Sequence, residues 1–227
     1  MSLKELEQHF EFGENWEIYS KTINENSIEI AKESLQFFFD CKDIKNKSFI
    51  DIGCGSGLFS IAALRLGFKK VVSVDIDPIC IKVAKQNISK YWTKNNWEYH
   101  NISVFELKNN KIGNFDVVYS WGVLHHTGAM YEAIDCSLKL LKPNGYMLVG
   151  LYQKTLLCSF WKIEKLFYSK SPKVIQKIIR NIFLILYGAI YFFRGQNQSE
   201  TISNYSQGYR AMDYNVDLHD WLGGYPY

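Results

Sequence analysis

Asp51, Gly53, Gly55 and Gly57 alternate through the stretch Phe49-Ile50-Asp51-Ile52-Gly53-Cys54-Gly55-Ser56-Gly57-Leu58-Phe59-Ser60. The stretch opens as a short apolar run and closes on a helical pattern. A strand that turns sharply into a helix needs glycine, because the turn demands positive φ and lets backbone approach a ligand closely. The helix that follows presents unpaired N–H groups and the positive end of its dipole. Such a turn receives a negatively polarised ligand group. A second landmark is Asp75, which ends the buried-strand pattern Val71-Val72-Ser73-Val74 twenty residues beyond Gly55. A carboxylate there can accept both ribose hydroxyls of a bound nucleoside.

Spacing separates the ligand classes that use such turns. A phosphate-binding P-loop needs Lys and then Ser or Thr after its last glycine, and Gly57 is followed by Leu58. The dinucleotide fingerprint wants a third glycine three places after the second, and that place is also Leu58, which disfavours NAD and FAD. The remaining pattern, Asp-x-Gly-x-Gly-x-Gly, resembles motif I of the class I S-adenosylmethionine-dependent methyltransferases. The resemblance implies that Asp51, Gly53, Gly55 and Gly57 hold the methionine end of S-adenosylmethionine and Asp75 its ribose. Cys54 and Ile76 are counted with the cofactor-binding residues. Where the family often places an acid for the adenine amino group, this chain offers Ser103 and the amide of Val104. Trp121 and Gly122 are expected to line the cofactor near the acceptor.

The reacting end is read from Ser120-Trp121-Gly122-Val123-Leu124-His125-His126-Thr127-Gly128. The Asn/Asp-Pro-Pro-Tyr/Phe motif of nucleobase and glutamine amino-methyltransferases is absent. A histidine pair stands there instead, suited to deprotonating a hydroxyl at neutral pH. His125 is the first candidate base and His126 the second. A zinc site is a poor reading of the pair, with no third ligand nearby in sequence. The stretch resembles the small-molecule methyltransferases related to those of ubiquinone and menaquinone biosynthesis. The expected partner is therefore a small-molecule acceptor, with O or N of a sugar, a quinone-like compound or another metabolite taking the methyl group. In related methyltransferases an N-terminal segment folds over the cofactor, which would bring Trp16 or Tyr19 near the sulfonium; ordinary aromatic packing is the plainer reading. The C-terminal phrase from Asp220 to Tyr227 looks like a segment of methyltransferases of cell-surface polysaccharide biosynthesis. It makes Arg210, Asp213 and Asp220 candidates for bonding a polar acceptor, or a solvated or capping set. The rivals are a nucleotide-dependent oxidoreductase and a non-catalytic cofactor-binding member.

The elements that must position these residues alternate. Strands are expected at 47–52, 70–74, 97–102, 115–120 and 146–151. Helices are expected at 58–66, 79–90 and 129–141, with Asp77-Pro78 starting the second and a turn at Lys142-Pro143-Asn144-Gly145. This order predicts an α/β fold, a doubly wound, mostly parallel, Rossmann-like sheet with ligands at the carboxyl ends of its strands. Three regions follow: an N-terminal helical cap at 1–45, broken near Gly13 and Trp16, a cofactor-binding core at 46–152, and a helical and loop region at 153–227 expected to serve as an acceptor or lid region. The family's closing antiparallel strand pair has no counterpart after Leu151. The run from Phe183 to Phe193 reads as a buried or lid helix in preference to a membrane-contacting one, and 196–206 as a loop.

The chain has 227 residues, enough for one sizeable core. Its net charge of +3 is too small to argue for nucleic acid. Five cysteines without C-x-x-C spacing and a charged N-terminus lead to an expectation of free thiols in a reducing cytoplasm.

Overall fold

The computed structural model describes residues 12–39, 44–110, 112–208 and 212–224. The first two helices are α1 (Phe12–Ser20) and α2 (Glu25–Gln36). The core alternates β1 (Ser48–Ile52), α3 (Leu58–Leu66), β2 (Lys70–Asp75), α4 (Pro78–Tyr91), β3 (Trp97–Asn101), β4 (Phe115–Trp121), α5 (Met130–Leu138) and β5 (Leu141–Gly150). Then come α6 (Cys158–Lys170), α7 (Lys173–Phe193), α8 (Gln198–Asn204) and α9 (Tyr214–Gly223). Short 3-10 turns fill Val104–Asn110, Leu124–His126 and Tyr205–Gln207.

The five strands form one parallel sheet in the order β3-β2-β1-β4-β5. Successive side chains on a strand point to opposite faces, so apolar runs mark strands buried on both sides. Phe49, Val71 and Val117 belong to one core with Ile28, Leu35, Ile61 and Leu64 of α2 and α3. Ile50, Val72 and Val118 belong to the other, with Leu107, Leu124 and Ala133. Tyr19, Ile23, Met212 and Val216 join the first core, so segments before and after the sheet share its packing. Each fully buried side chain of this kind contributes about 1.5–3 kcal/mol.

The expected fold class holds, and among the described residues only helices and turns follow β5. Four local expectations do not hold. Gly13 and Trp16 lie inside α1, and the break between the first helices falls after Ser20. Helix α5 ends at Leu138, and the Lys142-Pro143-Asn144-Gly145 turn is a bulge inside β5. Phe115 pairs with Leu141 and Val117 with Tyr146, which leaves the intervening residues looped out. Asn144 takes the bulge's left-handed φ of 62°, which asparagine tolerates. Residues 198–204 form a helix capped by Asn197 rather than a loop. Finally, the apolar run in α7 is not buried: Gln176 is the helix's sole buried residue.

Candidate active site

The chain leaves β1 in one direction to β2 and β3, then returns to lay β4 and β5 on the other side of β1. Ligands bind where the order reverses, outside the carboxyl ends of the strands. A cavity of about 490 Å³ lies there. Ile52 and Gly53 line it after β1, Asp75 to Pro78 after β2, Ile102 to Phe105 after β3, and Trp121 to Val123 with His126 and Thr127 after β4. Val74 of β2, Cys80 of α4, Phe12 and Trp16 of α1, Tyr152, and Asp217 and Asp220 of α9 complete its lining.

The glycine turn is built for close approach. Gly53, Gly55 and Gly57 have φ of 75°, 51° and 79°. A Cβ at Gly53 would collide with Val123, and one at Gly55 would lie 2.8 Å from the Trp16 ring. Four of the turn's amides are bonded inside the protein. Gly53 and Cys54 donate to the Val74 carbonyl (2.8 and 3.0 Å), and Gly57 donates to the Cys54 carbonyl (2.8 Å). Gly55 donates to Oδ2 of Asp75 (3.0 Å). Expected to hold the methionine end of the cofactor, these glycines let Val123 and Trp16 pack against the turn.

Asp51 is buried behind the turn and does not line the cavity. The Ser60 hydroxyl donates to its Oδ2 (2.6 Å). Ser60 is therefore the acceptor of its 2.6 Å contact with Ser73, whose hydroxyl in turn accepts from Nε1–H of Trp97 (2.8 Å). A single directed chain of hydrogen bonds thus runs from β3 through β2 and α3 to Asp51. Burial pushes the Asp51 carboxyl up to about 7, the Ser60 bond opposing and Asp75 adding to the rise.

Asp75 lines the cavity with both oxygens anchored. Oδ2 accepts from Gly55, and Oδ1 accepts from the Asp77 amide (3.0 Å). Burial raises this carboxyl to about 6 against the pull of those two amides. The Cys80 thiol bonds the same carboxylate as well. Asp77 caps α4 through Ile79 (2.8 Å), as its sequence context predicts, and its other oxygen accepts from the Gly13 amide (3.0 Å). A Cβ at Gly13 would collide with that carboxylate, so glycine here lets α1 dock on α4. Asn15 fixes the other side of α1, donating to the Val216 carbonyl (2.9 Å) and to Oδ1 of Asp220 (2.6 Å). These two anchors carry Trp16 over Gly55. Tyr19 points instead into the core.

Both histidines sit in the 3-10 turn after β4 and are buried. Their rings lie 4.1 Å apart, and Tyr152 lies 4.1 Å from His125 and 5.3 Å from His126. His126 lines the cavity, while His125 does not.

Of the residues expected at the site, Gly53, Asp75, Ile76, Ser103, Val104, Trp121, Gly122 and His126 share one cavity. Asp51, Cys54, Gly55, Gly57 and His125 stand outside its lining. Ser120 gives its hydroxyl to the Ile52 carbonyl (2.9 Å). Asp213 caps α9 through Asn215 and Val216, Asp220 reaches the cavity, and Arg210 lies outside the described residues. Sequence reading missed Phe12, Phe105, Tyr152 and Asp217, whose types carry no local signal of a site.

The fold and this cavity define a nucleoside-cofactor-binding α/β domain. The chain belongs to the methyltransferase domain family, whose match covers residues 23–183. Over 92 residues it is 44% identical to a chain named as a protein N5-glutamine methyltransferase from Methanocaldococcus jannaschii, covering 40% of this chain and 43% of that one. Over 163 residues it is 34% identical to the ubiquinone biosynthesis O-methyltransferase of Pelagibacter ubique, covering 67% and 66%. The solved N-methyltransferase NodS from Bradyrhizobium japonicum superposes with a TM-score of 0.48 at 19% identity, over 61% of this chain and 76% of that one. The chain thus spans less than half the length of the first relative. S-adenosylmethionine is the cofactor that membership implies. The residues fit it: left-handed glycines whose side-chain space is already taken, and an anchored aspartate at the end of β2.

Proposed function

We propose that the protein is an S-adenosylmethionine-dependent methyltransferase acting on a small, neutral or cationic acceptor. One observation carries the reading: Gly53, Asp75, Ser103, Trp121 and His126, from four strand ends, line a single cavity. Among the described residues the lining includes four aspartates, Asp75, Asp77, Asp217 and Asp220, and neither Lys nor Arg. An anionic acceptor would meet repulsion on entering it.

S-adenosylmethionine supplies an activated methyl group on a cationic sulfonium. The chain's residues bind and orient. Asp75 accepts the ribose hydroxyls, and Ser103 with the Val104 amide meets the adenine edge. The faces of Trp16 and Trp121 exclude water and attract the cation. His126 takes the proton of an acceptor hydroxyl at an imidazole nitrogen. Asp217 and Asp220, which line the same cavity, hold the acceptor's polar groups. Most of the rate comes from holding the acceptor in line with the methyl group.

The relatives include a protein N5-glutamine methyltransferase, yet the Asn/Asp-Pro-Pro-Tyr/Phe motif is replaced here by Ser120-Trp121-Gly122-Val123. The small-molecule reading is tested by incubating the protein with labelled methyl donor and a cell extract, then separating metabolites, lipids, RNA and protein. Label in the metabolite or lipid fraction supports it. Label in protein or RNA moves the acceptor to a macromolecule. Failure to bind S-adenosylhomocysteine in calorimetry removes the class itself.

A further inference from the structure

Helices α6 and α7 form a hairpin joined by Ser171 and Pro172. One side of it is tied to the domain. Phe183 and Ile179 pack on Tyr168, Leu222 and Trp221. Gln176 donates to the Tyr168 carbonyl (3.1 Å), and Arg180 bonds the Tyr168 hydroxyl (3.0 Å) and Nδ1 of His219 (2.9 Å). The other side is apolar and open to solvent. On α7, Val174, Ile178, Ile182 and Ile185 follow one another at helical spacing and are 71, 52, 49 and 72% exposed. On α6, Phe160, Ile163 and Phe167 do the same at 59, 71 and 60%. A soluble surface rarely leaves so long an apolar stripe uncovered.

Charge identifies what covers it. From Lys154 to Arg194 the chain carries eight Lys and Arg against the single acid Glu164, while the whole chain has 26 against 23, so the rest is net negative. Lys165 is buried and Arg180 is tied inward. Lys154, Lys162, Lys170, Lys177 and Arg194 are exposed, as is Lys173, which pairs with Glu14 at 2.6 Å. Apolar residues flanked by cations on one hairpin complement an anionic bilayer surface.

We propose that the α6–α7 hairpin docks the protein in the plane of an anionic membrane. Helix α7, 21 residues long, is long and apolar enough to cross a bilayer by length and composition. Its ties argue for lying flat: crossing would take Arg180 and Gln176 into hydrocarbon and away from Tyr168 and His219. The apolar stripe enters the interface while Phe183 and Ile179 remain packed on the domain.

The test is flotation of the full chain with vesicles of phosphatidylcholine alone, or with about one third phosphatidylglycerol. Binding to the anionic vesicles is expected at low salt, at least about tenfold weaker to neutral ones and weakened by high salt. The double variant Ile182→Glu with Ile185→Glu changes two exposed positions. It should abolish flotation while circular dichroism and S-adenosylhomocysteine binding stay unchanged. That control separates failure of docking from failure of the cofactor site. A folded chain that ignores anionic vesicles overturns the proposal. So does binding that resists alkaline carbonate extraction, which would make α7 a span. A dimer in sedimentation that the same double variant dissociates would give the face to a second copy instead, and overturns it too.

Discussion

Asp75 and Asp51 are both carboxyls raised by burial, yet their neighbours give them different work. Asp75 sits on the cavity wall with amides of Gly55 and Asp77 aimed at it, and burial lifts it to about 6. A ligand that needs its anion must displace a proton below that pH. Affinity for S-adenosylhomocysteine should therefore be flat above about pH 7 and fall below pH 6, approaching tenfold per unit. Asp75→Asn should weaken binding roughly ten- to hundredfold and remove the pH dependence, both read by calorimetry. Asp51 has no wall to serve. Its carboxyl, held up near 7 by burial, keeps its proton more readily folded than unfolded, where its value is near 4. The stability this contributes is complete below about pH 4 and lost as pH rises through 7. Asp51→Asn keeps an acceptor for Ser60 and cannot ionise. Its melting temperature relative to wild type should rise between those pH values.

At the scale of elements, α1 is held by residues that declare little in sequence. Gly13 lets it touch Asp77, and Asn15 reaches Asp220 and Val216 across about two hundred residues. Asn15→Ala removes the amide from a buried carboxylate. It should cost about 1–3 kcal/mol in denaturant unfolding and quicken S-adenosylhomocysteine release, since Trp16 rides on the same helix. The Ser60–Ser73 link is equally silent in sequence. Ser60→Ala leaves Asp51 and Ser73 facing a methyl group and should destabilise by a similar amount. What was legible is what local chemistry dictates. Helix α3 and its Gly67 cap, the Asp77-Pro78 start of α4, and the strand ends at Gly53 and Asp75 all follow from backbone requirements of a few adjacent residues. The pairing of the Gly53, Cys54 and Gly55 N–H groups was not legible, because their partners lie on β2. Nor was the choice between adjacent histidines, which depends on how a 3-10 turn aims two rings. The apolar run of α7 has the pattern of a buried helix, and only the packing of Gln176, Ile179 and Phe183 shows which side faces in.

Across the whole molecule, the cavity is closed by parts from both ends of the described chain: Phe12 and Trp16 from α1, Asp217 and Asp220 from α9. Those parts also join the sheet's cores, with Met212 and Val216 packed beside Tyr19. Filling the cavity therefore braces segments that hold the fold together. A ligand bound by the folded chain alone adds about 2.7 kcal/mol at a hundred times its dissociation constant. A chain of this length gains roughly 2–4 °C per kcal/mol, so saturating S-adenosylhomocysteine should raise the melting temperature by about 5–11 °C. NADH should leave it unchanged, because Leu58 occupies the place where a dinucleotide turn needs its third glycine. A shift with NADH and none with S-adenosylhomocysteine would return the cavity to oxidoreductase chemistry. Equal shifts in wild type and Asp75→Asn would place the nucleoside elsewhere in the fold.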